Sequence, residues 1–505
     1  MRISNRIHQE GGTRTPLWTQ RVHGVVFADM STLNSQATEL ELSGETMRSL
    51  VNQAMDRIVR YIESLPAQPA ADISDGAKLA RSVMEPLPKH GESFPSLLDH
   101  LFGRLIPKSF NTAGPGYLAY IPGGGLFHSA VADLISDSVN RYVGVWLAAP
   151  ALSQLEATVL QWFAQVIGYP GEARGILTTG GSLANFSAVV TARRSLLPDN
   201  FLSGTIYTSD QVHHSVLKAA TLAGFPESNV RELPSDDKFR LRLDCLQDAI
   251  GADRNHGLSP FLIVGSAGTT NTGAVDDLEA LADIARDEAM WLHVDGAYGG
   301  FFMLTERGRR AMTGIDRAHS VTLDPHKALF LPYGTGSLLV RDGEALRRAH
   351  SLHAEYLPPM QEDPDLVDFC NYSPELSRAF RGLRVWLPLK MHGILPFREN
   401  LDEKLDLTLW VTEKLRLISG IEIVAEPQLS IVAFRLRKPG LAREELNKLN
   451  RAFLDSINRK KRVYLTATTV RGDFVLRICV VSFRTHLDRM QAALEDIQAA
   501  VRELP

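Results

Sequence analysis

Residues 261–300 read FLIVGSAGTTNTGAVDDLEALADIARDEAMWLHVDGAYGG. A β-rich run (261–268) is followed by a segment of helical periodicity (278–288) and then by a second β-rich run (291–298). That succession predicts a strand, a crossover helix and a second strand parallel to the first. The same texture extends outward on both sides. GILT (175–178), GTIYT (204–208), SVTLDP (320–325) and GSLLVR (336–341) read as further strands, and 182–195 and 211–222 as further helices. The fold class is therefore α/β, with a mostly parallel sheet covered by helices on both faces. Ligands of such sheets bind beyond the carboxyl ends of the strands, so the chemistry should lie just past each strand.

The flanking segments differ. Met47, Leu50, Val51, Ala54, Ile58, Tyr61, Ile62 and Leu65 recur at helical spacing until Pro66, and a second helical patch covers 96–105. One narrow apolar stripe needs something to lie against, and a partner subunit is the candidate. Residues 1–35 lack periodicity and read as a disordered tail; Met30 opens a more natural beginning, which leaves the first 29 residues without a role. The stretch 109–132 holds no Asp, Glu, Lys or Arg, but Pro115, Pro122 and Gly123 to Gly125 interrupt it. It reads as a loop lining a cavity rather than a bilayer helix. Near the C-terminus, IVAFRL (431–436) and FVLRICVV (474–481), with helices near 442–458 and 486–503, predict a small α+β domain. The expected division is a tail (1–35), an N-terminal helical segment (36–122), a large α/β domain (123–385) and a small C-terminal domain (386–505).

With 505 residues, 44% of them hydrophobic and 22% charged, the chain can bury a large core. Its 54 basic and 58 acidic side chains leave a net charge of −4, which excludes an electrostatic footprint for nucleic acid or an anionic membrane. Cys245, Cys370 and Cys479 lie far apart and form no CxxC, so neither a disulfide framework nor a zinc site is expected, and a reducing cytoplasm fits. The first residues lack the apolar core of a secretion signal.

Four strand-end clusters carry chemistry. Thr178 to Asn185 (TTGGSLAN) follows a strand and opens a helix, where close backbone approach and free N–H groups favour a phosphate. It matches neither the P-loop nor the dinucleotide fingerprint, and a plain strand-to-helix turn with Ser182 near the cap explains it equally well. In HVDGAY, His293 and Asp295 share one strand face, with Asp295 at the exit, able to hold a cationic ring nitrogen or a metal, or to cap the next turn. In LDPHK, Lys327 stands between His326 and the apolar Ala328-Leu329-Phe330, poorly placed for a solvated charge. A buried lysine loses its proton easily and becomes an imine-forming amine; an ion-paired lysine is the plain alternative. In SDQVHHS, adjacent histidines cannot share a helix face and no HExxH is present, which argues against zinc. His213 lying flat on an aromatic ligand is the better use; taken by itself, a satisfied helix-start histidine is the plain alternative. Together, a phosphate cradle, a carboxylate, an imine-forming lysine and a stacking imidazole match one cofactor, pyridoxal 5′-phosphate (PLP).

From about Leu42 onward the chain resembles the group II PLP-dependent amino acid decarboxylases, most closely the aromatic-L-amino-acid and bacterial tryptophan decarboxylases. HVDGAYGG, DPHK, SDQVHHS, GTTNTG and FVLRIC stand in that family's order and spacing. The resemblance implies PLP fold type I and an obligate homodimer with shared active sites. It further implies that Lys327 carries the cofactor through an imine, that Asp295 pairs with the pyridine nitrogen and that His213 stacks on the ring. Gly181, Ser182 and His326 would surround the phosphate, while Thr270 and Ala297 complete the ring pocket. Tyr356 falls on the tyrosine of the family's catalytic loop and would protonate Cα. Tyr120, Ile121, Pro122, Tyr142 and Arg477 would bound the substrate, with Ile121 and Gly144 smaller than the aromatic residues of animal members. Asp324 and His214 replace the asparagine and serine of those members. The implied activity is PLP-dependent decarboxylation of an aromatic L-amino acid to amine and CO₂. Two alternatives stay open: an acidic substrate (glutamate, aspartate or sulfinoalanine), should Arg141 point inward, and a decarboxylation-dependent aldehyde synthase.

Overall fold

The structure, a computed structural model, describes residues 40–351, 360, 361, 363 and 365–504. The expected tail and Tyr356 lie outside the described residues. Among the described residues, seven strands make the large sheet: β1 (Arg174–Thr178), β2 (Gly204–Ser209), β3 (Val230–Leu233), β4 (Ser259–Ser266), β5 (Trp291–Asp295), β6 (Ser320–Leu323) and β7 (Gly336–Val340). Their spatial order is β1-β7-β6-β5-β4-β2-β3. The pairs β2/β3, β2/β4, β4/β5 and β5/β6 are parallel, whereas β7 runs antiparallel to both β1 and β6. This is the expected mostly parallel α/β sheet.

The central strands are apolar on both faces because helices cover both. Phe261, Leu262, Ile263 and Val264 of β4 are all buried, and so is every residue of β5. The crossover helix Leu278–Asp287 starts at Asp277, whose carboxylate accepts the Ala280 N–H at 3.2 Å. It buries Leu278, Leu281, Ala282, Ile284 and Ala285, the i, i+3, i+4 set read from the sequence.

A second sheet holds β8 (Ile421–Ala425), β9 (Ile431–Leu436), β10 (Thr466–Val470) and β11 (Asp473–Cys479) in the order β10-β11-β9-β8, antiparallel throughout. Helices Arg443–Arg459 and Leu487–Glu503 pack with it. Helix Leu395–Arg416 joins the two cores: Phe397, Leu401 and Leu405 sink into the first, Leu407, Val411 and Leu415 into the second.

The loop expected over 109–132 is a correction. Its charge-free end belongs to helix Phe127–Val139, which buries Ser129, Ala132 and Ser136. Small residues there allow close packing against helix Gly382–His392, with Ser129 Oγ donating to the Arg384 carbonyl at 2.9 Å. The N-terminal helix Gly44–Ser64 forms as read, and none of its residues is buried.

Candidate active site

β1, β2, β4, β5 and β6 end on one edge of the sheet, and the residues past those ends enclose a cavity of about 360 Å³. Its walls include Gly180, Gly181, Ser182, Asn185, His213, Thr269, Thr270, Asp295, Ala297, Asp324, His326 and Lys327. The four strand-end clusters therefore do converge.

Asp295 is the last residue of β5. Its Oδ1 accepts the Ala297 N–H at 3.1 Å and its Oδ2 accepts Asn185 Nδ2–H at 2.9 Å. After β6, the single turn Pro325–Ala328 presents Lys327, whose Nζ lies 3.0 Å from Asp324 Oδ2. His326 Nδ1 donates to the Thr335 carbonyl at 2.6 Å. His213 Nδ1 lies 2.7 Å from Ser215 Oγ, and its ring is tilted against that of His214 with centroids 4.4 Å apart.

The electrostatics correct one expectation. Burial alone would push the Lys327 ammonium down, but Asp324 and Asp295 outweigh it and hold the group above the ordinary lysine range. Before the cofactor arrives, Lys327 is thus an ion-paired ammonium, not a free amine. The histidines move the other way. Burial lowers His213 against the pull of Asp295, and lowers His326 against the pull of Asp324, so both rings are neutral near pH 7.

Pyridoxal phosphate fits these residues. Helix Gly181–Leu196 begins at the cavity, and the first backbone bonds onto Gly180 O come from Leu183 and Ala184. The N–H groups of Gly181 and Ser182 precede that first turn, where a phosphate is stabilised. Closeness here requires glycine: a Cβ on Gly336 would lie 2.5 Å from the Gly180 backbone, and one on Gly181 would meet Asp324 Oδ2 at 3.0 Å. Asp324 Oδ1 is buried without a hydrogen-bond partner in the same wall.

Comparison with known proteins bears directly on this site. The family described as the pyridoxal-dependent decarboxylase conserved domain matches residues 77–437. This chain belongs to the pyridoxal-dependent decarboxylases. An aromatic-L-amino-acid decarboxylase of Bacillus atrophaeus is 34% identical over 467 residues, which cover 92% of this chain and 97% of that protein. The Bos taurus aromatic-L-amino-acid decarboxylase is 28% identical, covering 90% and 96% of the two chains. The crystal structure of Catharanthus roseus tryptophan decarboxylase in complex with L-tryptophan superposes with a TM-score of 0.85 at 27% identity, over 92% of this chain and all of that one. The cofactor of this decarboxylase is pyridoxal phosphate, and its fold is the PLP type I fold with a separate antiparallel sheet.

Other residues singled out in the sequence lie apart from the cavity wall. Tyr120 is exposed with φ 49°, and its carbonyl accepts Arg477 at 3.2 Å. Arg477 also donates to Thr466 Oγ1 at 3.2 Å. Ile121 and Pro122 are buried, and the chain after them runs against the Lys327 turn so closely that a Cβ on Gly123 would lie 2.1 Å from the His326 carbonyl. Tyr142 donates to the Leu376 carbonyl at 3.0 Å, and its ring occupies the space a side chain at position 144 would need. Sequence reading missed Asn185 and Ser215 as parts of the site. Asn185 stands four residues after Gly181, one helical turn on and on the same face, and that spacing was the available signal.

Proposed function

We propose that this chain decarboxylates aromatic L-amino acids to the corresponding amine and CO₂, with Lys327, Asp295, His213 and Tyr356 as its catalytic residues. The observation carrying this reading is the meeting of Lys327, Asp295 and His213 around one cavity with a glycine-lined helix start. Bound pyridoxal phosphate supplies an electron sink that accepts the Cα–carboxylate bonding electrons as CO₂ leaves. Lys327 Nζ would hold the cofactor covalently. Asp295 would face the pyridine nitrogen and stabilise positive charge on it. His213 would cover one ring face, and Tyr356 would deliver the proton to Cα. Gly181, Ser182 and His326 would hold the phosphate, with Thr270 and Ala297 beside the ring.

Tyr120, Ile121, Pro122, Tyr142 and Arg477 are the proposed substrate residues. Tyr120 adjoins an aromatic group in which Phe110 and Tyr464 lie 4.8 Å apart and Tyr117 stacks on Tyr464 at 6.0 Å, surroundings that suit a flat ring. An acidic substrate is less favoured, since relatives 34% and 28% identical are aromatic-amino-acid decarboxylases. The reading includes a cytoplasmic homodimer in which the N-terminal segment (36–122) clasps the partner, beside the cofactor domain (123–385) and the small domain (386–505). Met47 and Val51 of helix Gly44–Ser64 remain 51% and 39% exposed, the stripe such a clasp would cover. Purified, PLP-loaded protein on a panel of L-tryptophan, L-tyrosine, L-DOPA, L-phenylalanine, L-glutamate and L-aspartate tests the function. Amine and CO₂ in equal amounts from an aromatic substrate are expected; turnover of the acidic substrates alone would overturn the aromatic reading, and aldehyde in place of amine would make the protein a synthase.

A further inference from the structure

Beneath the cavity a run of buried polar groups connects β5, β6 and helix Gly181–Leu196. Trp291 Nε1–H donates to Ser320 Oγ at 2.8 Å. Ser320 Oγ lies 2.8 Å from His293 Nδ1, and His293 Nε2 lies 3.1 Å from Asn185 Oδ1. Thr322 Oγ1–H donates to that same Asn185 oxygen at 2.7 Å. Asn185 Nδ2 then serves two acceptors, Asp295 Oδ2 at 2.9 Å and Ser215 Oγ at 3.0 Å. Ser215 Oγ lies 2.7 Å from His213 Nδ1, which also accepts the Ser215 N–H at 3.3 Å. Asn185, His293, Ser320 and Thr322 are 0–1% exposed.

The Asp295 carboxylate can only accept, so Asn185 turns its NH₂ to Asp295 and its oxygen to His293 and Thr322. At the far end the Ser320 oxygen accepts from the indole of Trp291. Asn185 Oδ1 can only accept, so neutral His293 carries its hydrogen on Nε2 and gives it to that oxygen. Burial lowers His293 to about 4, so no second proton disturbs this order near neutrality. Two donors on its oxygen leave Asn185 one orientation, with the NH₂ facing Asp295 and Ser215; the flipped amide would set oxygen against carboxylate. His213 Nδ1 accepts the Ser215 N–H and so carries no hydrogen of its own, which makes Ser215 Oγ–H the donor to it. The neutral His213 ring then keeps its hydrogen on Nε2.

We propose that Asn185 is a positioning residue whose single amide fixes the orientation of Asp295 and, through Ser215, the placement of the His213 ring. One N–H steadies the carboxylate that would face the pyridine nitrogen; the other holds Ser215 Oγ, which lies 2.7 Å from His213 Nδ1. The inference rests on reading Asp295 and His213 as cofactor-ring residues. The charged and titratable groups facing His213 are Asp295, Lys327, His214 and Asp324, so its pH response must be read against all four.

The test uses three variants, Asn185→Asp, Asn185→Ala and Ser215→Ala, with apoprotein titrated by PLP and followed by its visible absorbance. Asn185→Asp is nearly isosteric but sets a second carboxylate against Asp295. Both Asn185 variants should raise the PLP dissociation constant roughly 10- to 100-fold, the scale of a lost hydrogen bond to a charged group. They should also displace the pH midpoint of the absorbance of the lysine-bound cofactor. Ser215→Ala cuts only the His213 branch and should shift the pH profile of kcat more than the dissociation constant. Nitrogen-15 spectra of histidine-labelled wild-type protein, with His213 assigned by its loss in His213→Gln, read the tautomer directly and do not depend on any variant of Asn185 folding. A hydrogen on His213 Nδ1, or Asn185 variants that bind PLP as the wild type does, would overturn the proposal. Wild-type protein that develops no absorbance with PLP would instead bring down the cofactor-site reading beneath it.

Discussion

At the scale of single residues, the distinctive pairing is Lys327 with Asp324 at 3.0 Å. The attaching amine must be unprotonated, yet Asp324 and Asp295 together overcome burial and keep Lys327 protonated above the ordinary lysine range. Attachment should therefore quicken as pH rises toward that raised value. Asp324→Asn removes the nearest carboxylate, lowers the Lys327 pKa and increases the amine fraction at pH 7, by roughly tenfold for each unit of fall. Stopped-flow absorbance of PLP binding between about pH 6 and 9 measures this; an unchanged rate profile would mean that Asp324 does not govern the lysine. Tyr356→Phe belongs at the same scale. As the proposed acid at Cα, its loss should slow amine release and, with dissolved O₂ as the oxidant, raise aldehyde, and an unaltered amine yield would remove Tyr356 from that role. Lys327, Asp295, His213 and their neighbours were legible in the sequence because each follows a recognisable strand. The protonation of Lys327 was not, because it depends on carboxylates that only the folded sheet edge brings within reach.

At the scale of elements, β1, which leads into the glycine turn, is braced by an ion pair. Glu156 of helix Pro150–Ile167 meets Arg378, with both side chains fully buried. Glu156 Oε2 also accepts the Gly382 N–H at 3.0 Å where the next helix starts, and Arg378 donates to the Leu177 carbonyl of β1 at 3.2 Å. Removing one partner leaves a buried charge without compensation. Glu156→Ala should therefore cost about 3–5 kcal/mol of stability, and Glu156→Gln less because it still accepts from Gly382. Urea unfolding of the apoprotein checks both, and a loss below about 1 kcal/mol would place this pair with exposed ones. Nothing in the sequence marks Glu156 as buried, since it sits 222 positions from its partner. Helix Leu395–Arg416 was missed for a related reason. Its apolar positions serve two different cores, which blurs the single stripe that periodicity detects.

For the molecule as a whole, the exposed stripe of helix Gly44–Ser64 and the exposed Leu134, Ile135 and Val139 of helix Phe127–Val139 are the surfaces for the proposed second subunit. A combined Met47→Glu and Val51→Glu substitution should shift sedimentation from dimer to monomer. Each buried apolar side chain is worth about 1.5–3 kcal/mol, and a two-fold axis counts it twice. A double variant that sediments as the wild type would show that this helix does not hold the subunits together. Among the described residues no helix is long and apolar enough to cross a membrane, so the charge-free stretch 109–132 is not a span. The sequence by itself determined the α/β class, the strand-end placement of Lys327, Asp295, His213 and the glycine turn, and the family, because strand periodicity and short motifs are local properties. Only the tertiary structure decided that Asn185 links Asp295 to His213, that Lys327 is ion-paired, and that one helix serves both cores. Hydrogen-bond direction and charge state arise from groups far apart in the chain, and no local pattern encodes them.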